Sequence, residues 1–112
     1  MKLETATAGE ALVVRVEEER IDAACAIQFK DQMREIALAA PPRVILDLAP
    51  VRFVDSSGLG AIVAVMKFLA PARQLELSGL TSNVARVFHL TRMDKVFTIH
   101  AANAGSGMAN GG

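Results

Sequence analysis

Hydrophobic positions along this chain follow two different rhythms. The run ALVVRV at residues 11–16 is compact and β-branched, and KLETAT precedes it with only the turn-prone Ala8-Gly9-Glu10 between them. Two extended segments across so short a connection predict an N-terminal β-hairpin. After the charged stretch VEEER the spacing changes. Cys25, Phe29, Met33 and Ile36 recur at intervals of four, four and three, which places them on one face of a helix. Asp22 suits the N-cap of that helix, and Pro41-Pro42 ends it because proline disfavours helical geometry in the residue before it. VILDL, residues 44–48, has the continuous apolar character of a strand buried on both faces. Residues 57–70 predict a second helix stopped by Pro71, and QLELSGL a further strand at Leu75 to Leu77. Thr81 or Ser82 caps a third helix with a buried stripe of Val84, Val87 and Phe88, and Val96 to Ile99 forms a last strand.

Strands alternating with helices after a leading hairpin predict an α/β fold, a mixed sheet of about four to five strands with helices packed on it. Right-handed crossovers make the strands at VILDL and QLELS parallel neighbours. A chain of 112 residues is one domain. Residues 1–100 are its expected extent, because AANAGSGMANGG at 101–112 lacks periodicity and core residues and reads as a disordered Gly/Ala-rich tail. The 12 basic and 12 acidic residues cancel, so no global field favours nucleic acid or an anionic membrane. The single cysteine excludes an internal disulfide and fits a reducing compartment. MKLETATAGE has no apolar h-region, and the longest uncharged apolar stretch, Leu59 to Met66, is too short for a bilayer, so the expected location is the cytoplasm. Trp and Tyr are absent, which leaves no stacking platform for bases.

The junction VDSSGLG interrupts this apolar sequence most sharply. Asp and Ser satisfy orphan amides at a helix start, and one such residue is worth about 1 kcal/mol. Here Asp55, Ser56, Ser57, Gly58 and Gly60 stand together, although each helical glycine costs up to roughly 1 kcal/mol against alanine. That exceeds what punctuation requires. In the helix that follows, Leu59, Ile62, Val63, Met66 and Ala70 share one face, expected to lie on the sheet. The opposite face carries Ala61, Ala64, Val65 and Phe68, small and apolar groups beside the two serines. Either more protein covers that face, as in a homodimer, or it docks a partner. A phosphoryl group on a serine at its rim would add about −1.5 to −2 charge, tolerable at a helix N-terminus and disruptive against an apolar partner.

Catalysis by the chain itself finds little support. Ser56 follows Val54-Asp55 and not the G-x of a nucleophile elbow, and nothing in the spacing aims His89 or His100 at it. No Cys/His cluster, phosphate-binding loop or dinucleotide fingerprint is present, and Cys25 reads as a small core residue.

The string VILDLAPVRFVDSSGLGAIVAVM resembles the central motif of bacterial anti-sigma factor antagonists, the single-domain members of the STAS (sulfate transporter and anti-sigma factor antagonist) family. The similarity runs from LVVRV through Asp22 and LELSGL to VARVFHLTRMDKVFTIH. The resemblance implies a mixed sheet packed against helices and a non-enzymatic, partner-switching role in transcription control. It implies binding to an anti-sigma factor that is often also a serine-protein kinase, with release of a sigma factor. The serine after the motif's aspartate, here Ser56, would be the phosphorylation site, and a PP2C-type phosphatase would reverse the modification. Asp55 would position the site, Ser57 and Gly58 would open the helix, and Asp22 matches an acidic position near the partner surface. ATP belongs to the kinase, so no cofactor is expected on this chain. Where the family commonly has Gly-Glu-Leu-Asp, this chain has Glu19-Arg20-Ile21-Asp22. The alternative within the same family is an accessory subunit of a lipid-transport ABC system, whose STAS domains generally lack a full D-S-S-G motif.

Overall fold

In the computed structural model, which describes residues 1–100, the leading extended segments form β1 (Leu3–Ala8) and β2 (Ala11–Val16). They pair antiparallel, with Leu3 opposite Val16 and Ala8 opposite Ala11. Gly9 turns the hairpin at φ +62°, a left-handed conformation that a residue without Cβ adopts freely. The disordered tail expected at 101–112 lies outside the described residues.

The remaining elements are β3 (Arg20–Ile21), α1 (Ala26–Ala37), β4 (Arg43–Asp47), β5 (Phe53–Val54), α2 (Ser56–Leu69), β6 (Gln74–Ser78), α3 (Ser82–Leu90) and β7 (Thr98–His100). A five-stranded sheet runs in the order β1-β2-β4-β6-β7. Only the β1–β2 pair is antiparallel; β4 and β6 are parallel neighbours, as the crossover rule requires. β3 and β5 form a separate parallel pair, Arg20 opposite Phe53 and Ile21 opposite Val54. Two residues are too few to show periodicity, which is why VEEER and VRFVD carried no strand signal.

One face of the large sheet holds the core. Val14, Val16, Val44, Leu46, Leu75 and Leu77 lie on it, buried against Phe29 and Met33 of α1, Ile62 of α2 and Phe88 of α3. Phe88 meets Phe97 edge to face, with ring centroids 5.8 Å apart. The expectation that VILDL is buried on both faces is corrected here. Val44, Leu46 and Leu48 are buried, while Ile45 and Asp47 are only half-buried on the opposite, helix-free face. The last strand also shifts. Arg92 enters a left-handed conformation at φ 63°, Met93–Lys95 form a 3-10 turn, Val96 is exposed, and the ladder starts at Thr98.

Two caps differ from expectation. The helical ladder of α1 begins after Cys25, and Asp22 closes the preceding turn: its carboxylate accepts from Ala24 N at 3.1 Å and its carbonyl from Cys25 N at 3.1 Å. Thr81 occupies the N-cap of α3, yet its hydroxyl donates to the Val51 carbonyl at 2.8 Å and ties α3 to the β4–β5 connection.

The helix-free face carries Glu76, a buried carboxylate 4% exposed. Arg43 donates to its two oxygens at 2.7 and 2.9 Å, and His100 Nε2 lies 2.6 Å from Oε1. The Arg43 hydrogen bonds overcome the burial and, with His100, hold the carboxyl at about 2 instead of 4.5. A group depressed on folding stabilises the protein above its unfolded value, and that contribution is lost as pH falls from about 4.5 to about 2. Arg43 is half-exposed, so screening reduces the effect. Glu76→Gln is expected to cost on the order of 1–2 kcal/mol at neutral pH. In urea melts the gap to the parent protein narrows below about pH 4.5; a gap independent of pH would assign the loss to packing.

Candidate functional site

The end of β5 delivers the chain directly into α2, and Asp55 is the N-cap in extended conformation. Its Oδ1 accepts from Gly58 N at 2.8 Å and its Oδ2 from Ala23 N at 3.2 Å. One carboxylate therefore satisfies the first turn of α2 and fixes the 22–25 turn against it. Helical geometry begins at Ser56, one residue before the expected start, and both Ser56 and Ser57 are exposed.

The two glycines have different reasons. Gly58 is buried where α2 crosses β3: a Cβ there would lie 1.9 Å from the Ile21 carbonyl oxygen and 2.7 Å from its carbon. Gly60 is exposed, and a Cβ built on it meets nothing within 4 Å. Close packing within the chain thus accounts for Gly58 alone.

The expected faces of α2 are corrected. Gly58, Ala61, Ile62, Val65 and Leu69 are buried, so the core stripe is turned by one residue step, about 100° on a helix of 3.6 residues per turn. Ala61 and Val65, expected on a docking face, are 3% and 0% exposed. Ala64 and Phe68 are half-buried, with the Arg34 guanidinium of α1 lying 5.0 Å over the Phe68 ring. The cover on this side is α1 of the same chain. Ala70, expected on the sheet, is exposed, and Ser56, Gly60 and Lys67 form the outer line of the helix. Nearly every side chain of α2 is small or apolar, so the sequence pattern did not determine its phase.

Asp22, Asp55, Ser56, Ser57, Gly58 and Gly60 do come together at the N-terminal end of α2, linked through the Ala23–Asp55 bond. Sequence reasoning missed Arg20 and Phe53 in this group. Arg20 Nε donates to Asp22 Oδ2 at 3.1 Å, and its guanidinium stacks 4.5 Å from the centroid of the Phe53 ring. That hydrogen bond holds the Asp22 carboxyl below its ordinary value. Phe53 is 43% exposed, a large apolar surface beside the two carboxylates. Its outward position follows from strand alternation once Val54 is inward, a signal legible only when β5 is recognised.

The exposed Ser56 hydroxyl has no histidine beside it. His89 Nδ1 lies 3.0 Å from Asp94 and His100 is engaged with Glu76. Among the described residues no side chain hydrogen-bonds to Ser56, and no His/Cys/Asp/Glu group is placed to hold a metal ion. Cys25 Sγ accepts from Asp22 N at 3.4 Å, a structural contact within the turn. No helix among the described residues is long and apolar enough to cross a membrane.

The fold is similar to that of an anti-sigma factor antagonist from Mycobacterium paratuberculosis, with a TM-score of 0.78 and 24% identity over 88% of this chain and 84% of that one. A STAS domain protein from Planctomyces limnophilus superposes with a TM-score of 0.79 at 18% identity, covering 88% of this chain and 89% of that one. The Bacillus cell fate determinant SpoIIAA in its phosphorylated form gives 0.66 at 20% identity, over 92% of this chain and 93% of that one. The STAS domain family model matches residues 2–104, and the chain accordingly belongs to the STAS domain family.

Proposed function

We propose that this STAS domain is an anti-sigma factor antagonist that binds an anti-sigma factor, itself a serine kinase, and so releases a sigma factor. Phosphorylation of Ser56 ends the binding, and a PP2C-type phosphatase restores it. The domain is the kinase's substrate and carries no catalysis of its own. Similar folds in an anti-sigma factor antagonist and in the cell fate determinant SpoIIAA, the latter solved in a phosphorylated form, support this reading.

The observation that carries it is the pairing of an exposed Ser56 with Gly60 one turn later. Glycine in an exposed helix costs up to roughly 1 kcal/mol against alanine, and among the described residues no atom approaches Gly60 closely enough to require it. A second protein seated on this line of the helix supplies the requirement. The partner surface is then Asp22, Asp55, Ser56, Ser57 and Gly60, extended by Arg20 and Phe53, with Ala64 and Phe68 at its margin. Ala61 and Val65 support it from within the core.

Gly60→Ala separates the two effects. The free protein is expected to gain about 0.5–1 kcal/mol in urea unfolding. Its affinity for the anti-sigma factor, measured by calorimetry, is expected to fall about tenfold, equivalent to about 1.4 kcal/mol. A stabilised variant that binds like the parent would remove this part of α2 from the interface.

A further inference from the structure

Among the described residues nothing pairs with the outer side of β1. β1 is an edge strand, and five of its six residues are exposed. Its ladder to β2 determines which backbone groups point outward. Glu17 N donates to the Lys2 carbonyl, and the hairpin closes between Ala8 and Ala11. Hydrogen-bonded pairs alternate in an antiparallel ladder, so Lys2, Glu4, Ala6 and Ala8 turn their backbone groups toward β2. Leu3, Thr5 and Thr7 turn theirs away. The strand has no proline, and its register to β2 runs unbroken over all six residues without a bulge. Bulges and prolines are usual guards against edge-to-edge pairing, and the charges that also serve as one are confined to Lys2 and Glu4 at its N-terminal end.

We propose that β1 pairs antiparallel with β1 of a second copy of this chain, about a two-fold axis through Thr5, joining two five-stranded sheets into one. In that register Thr5 faces Thr5 and Leu3 faces the second copy's Thr7, so every outward residue exchanges both of its backbone hydrogen bonds. The charges at this edge permit a second copy. Lys2 comes opposite Ala8 and Glu4 opposite Ala6, and no like charges face each other directly. The two Glu4 side chains lie on a diagonal, about 7–8 Å apart, and each has its own Lys2 at 3.7 Å.

The groove beside the edge fits the same occupant. It has a volume of about 440 Å³ between β1 and α1 and is lined by Met1, Lys2, Leu3, Gln32, Glu35 and Ile36. Within it Gln32 Nε2 donates to the Met1 carbonyl at 3.0 Å, while its Oε1 is buried without a hydrogen-bond partner. Leu3 lies on the core side of the sheet, opposite Val16, so the second copy's Thr7 brings its hydroxyl to the groove's side of the edge. Pairing of β1 with β7 of a neighbour would be heterologous and would propagate into filaments, whereas the β1–β1 contact closes at two copies.

Sedimentation velocity of the untagged chain tests the inference. Wild type is expected to shift toward twice the 11.9 kDa monomer mass, with a midpoint on the order of 10–100 µM as befits a small interface. Thr5→Pro removes an outward amide that the β1–β2 ladder does not use, and is expected to remain monomeric with an unchanged circular dichroism spectrum. If that variant does not fold, Thr5→Lys serves instead by placing like charges face to face on the two-fold axis. A wild type that stays monomeric throughout, an assembly that grows beyond two copies, or a dimer retained by either folded variant would overturn the proposal.

Discussion

Gly58→Ala is expected to destabilise the protein by about 2–4 kcal/mol, close to the upper range for a single substitution. The added methyl falls 1.9 Å from the Ile21 carbonyl oxygen. That oxygen cannot swing aside as a side-chain tip would, because it belongs to β3 and accepts from Asp55 N at 3.4 Å. Moving α2 outward instead would strain the Asp55–Gly58 cap and lift Ile62 and Val65 from the core. The gain in helix propensity, up to about 1 kcal/mol, opposes the clash without matching it. Chemical denaturation reads the difference directly. Gly60→Ala, two residues along the same helix, is expected to change stability in the opposite direction. A neutral Gly58→Ala would mean that the helix and β3 separate readily.

Ser56→Asp is expected to weaken anti-sigma factor binding about tenfold, and enzymatic phosphorylation about a hundredfold or more, since like charges brought together at an interface cost several kcal/mol. The free domain should tolerate the change. Ser56 is the exposed first residue of α2, where a negative charge interacts favourably with the helix dipole by about 0.3–1 kcal/mol. Asp22 and Asp55 already bring two carboxylates to the site, and Arg20 is engaged with Asp22. Calorimetric titration of the anti-sigma factor against both forms measures the effect. Ser56→Ala should bind like wild type and take no label from the cognate kinase and ATP. Labelling of Ser57 with Ser56 spared would move the assignment by one residue.

The elements with strong periodicity were legible in the residues themselves. ALVVRV and its short turn predicted the hairpin, and Phe29 with Met33 predicted the buried side of α1. The phase of α2 was not legible. Its residues offer Lys67 as the sole charge, and a helix with apolar groups on all sides has no polar face to orient it. Docking residues were therefore placed on the side that α1 covers. The paired strands β3 and β5 escaped notice because a two-residue ladder depends on partners distant in sequence, and Arg20 and Phe53 were lost with them. Nothing in QLELS singles out Glu76; its pairing depends on Arg43 and His100, which arrive from two other strands. Asp55 and Ser56 could be singled out because the local motif held both.

The β3–β5 pair has a consequence for motion. Each strand contributes two residues, and the ladder stands apart from the five-stranded sheet. Stability within a domain is distributed unevenly, and short ladders with few cooperative bonds open at lower free energy than central strands. Ile21, Val54 and Gly58 are buried and anchor this corner to the core, so such fraying is confined to its exposed rim, the 23–24 turn and Ser56. On the proposed function, a kinase would reach Ser56 at that rim while the buried side of the corner keeps the domain folded.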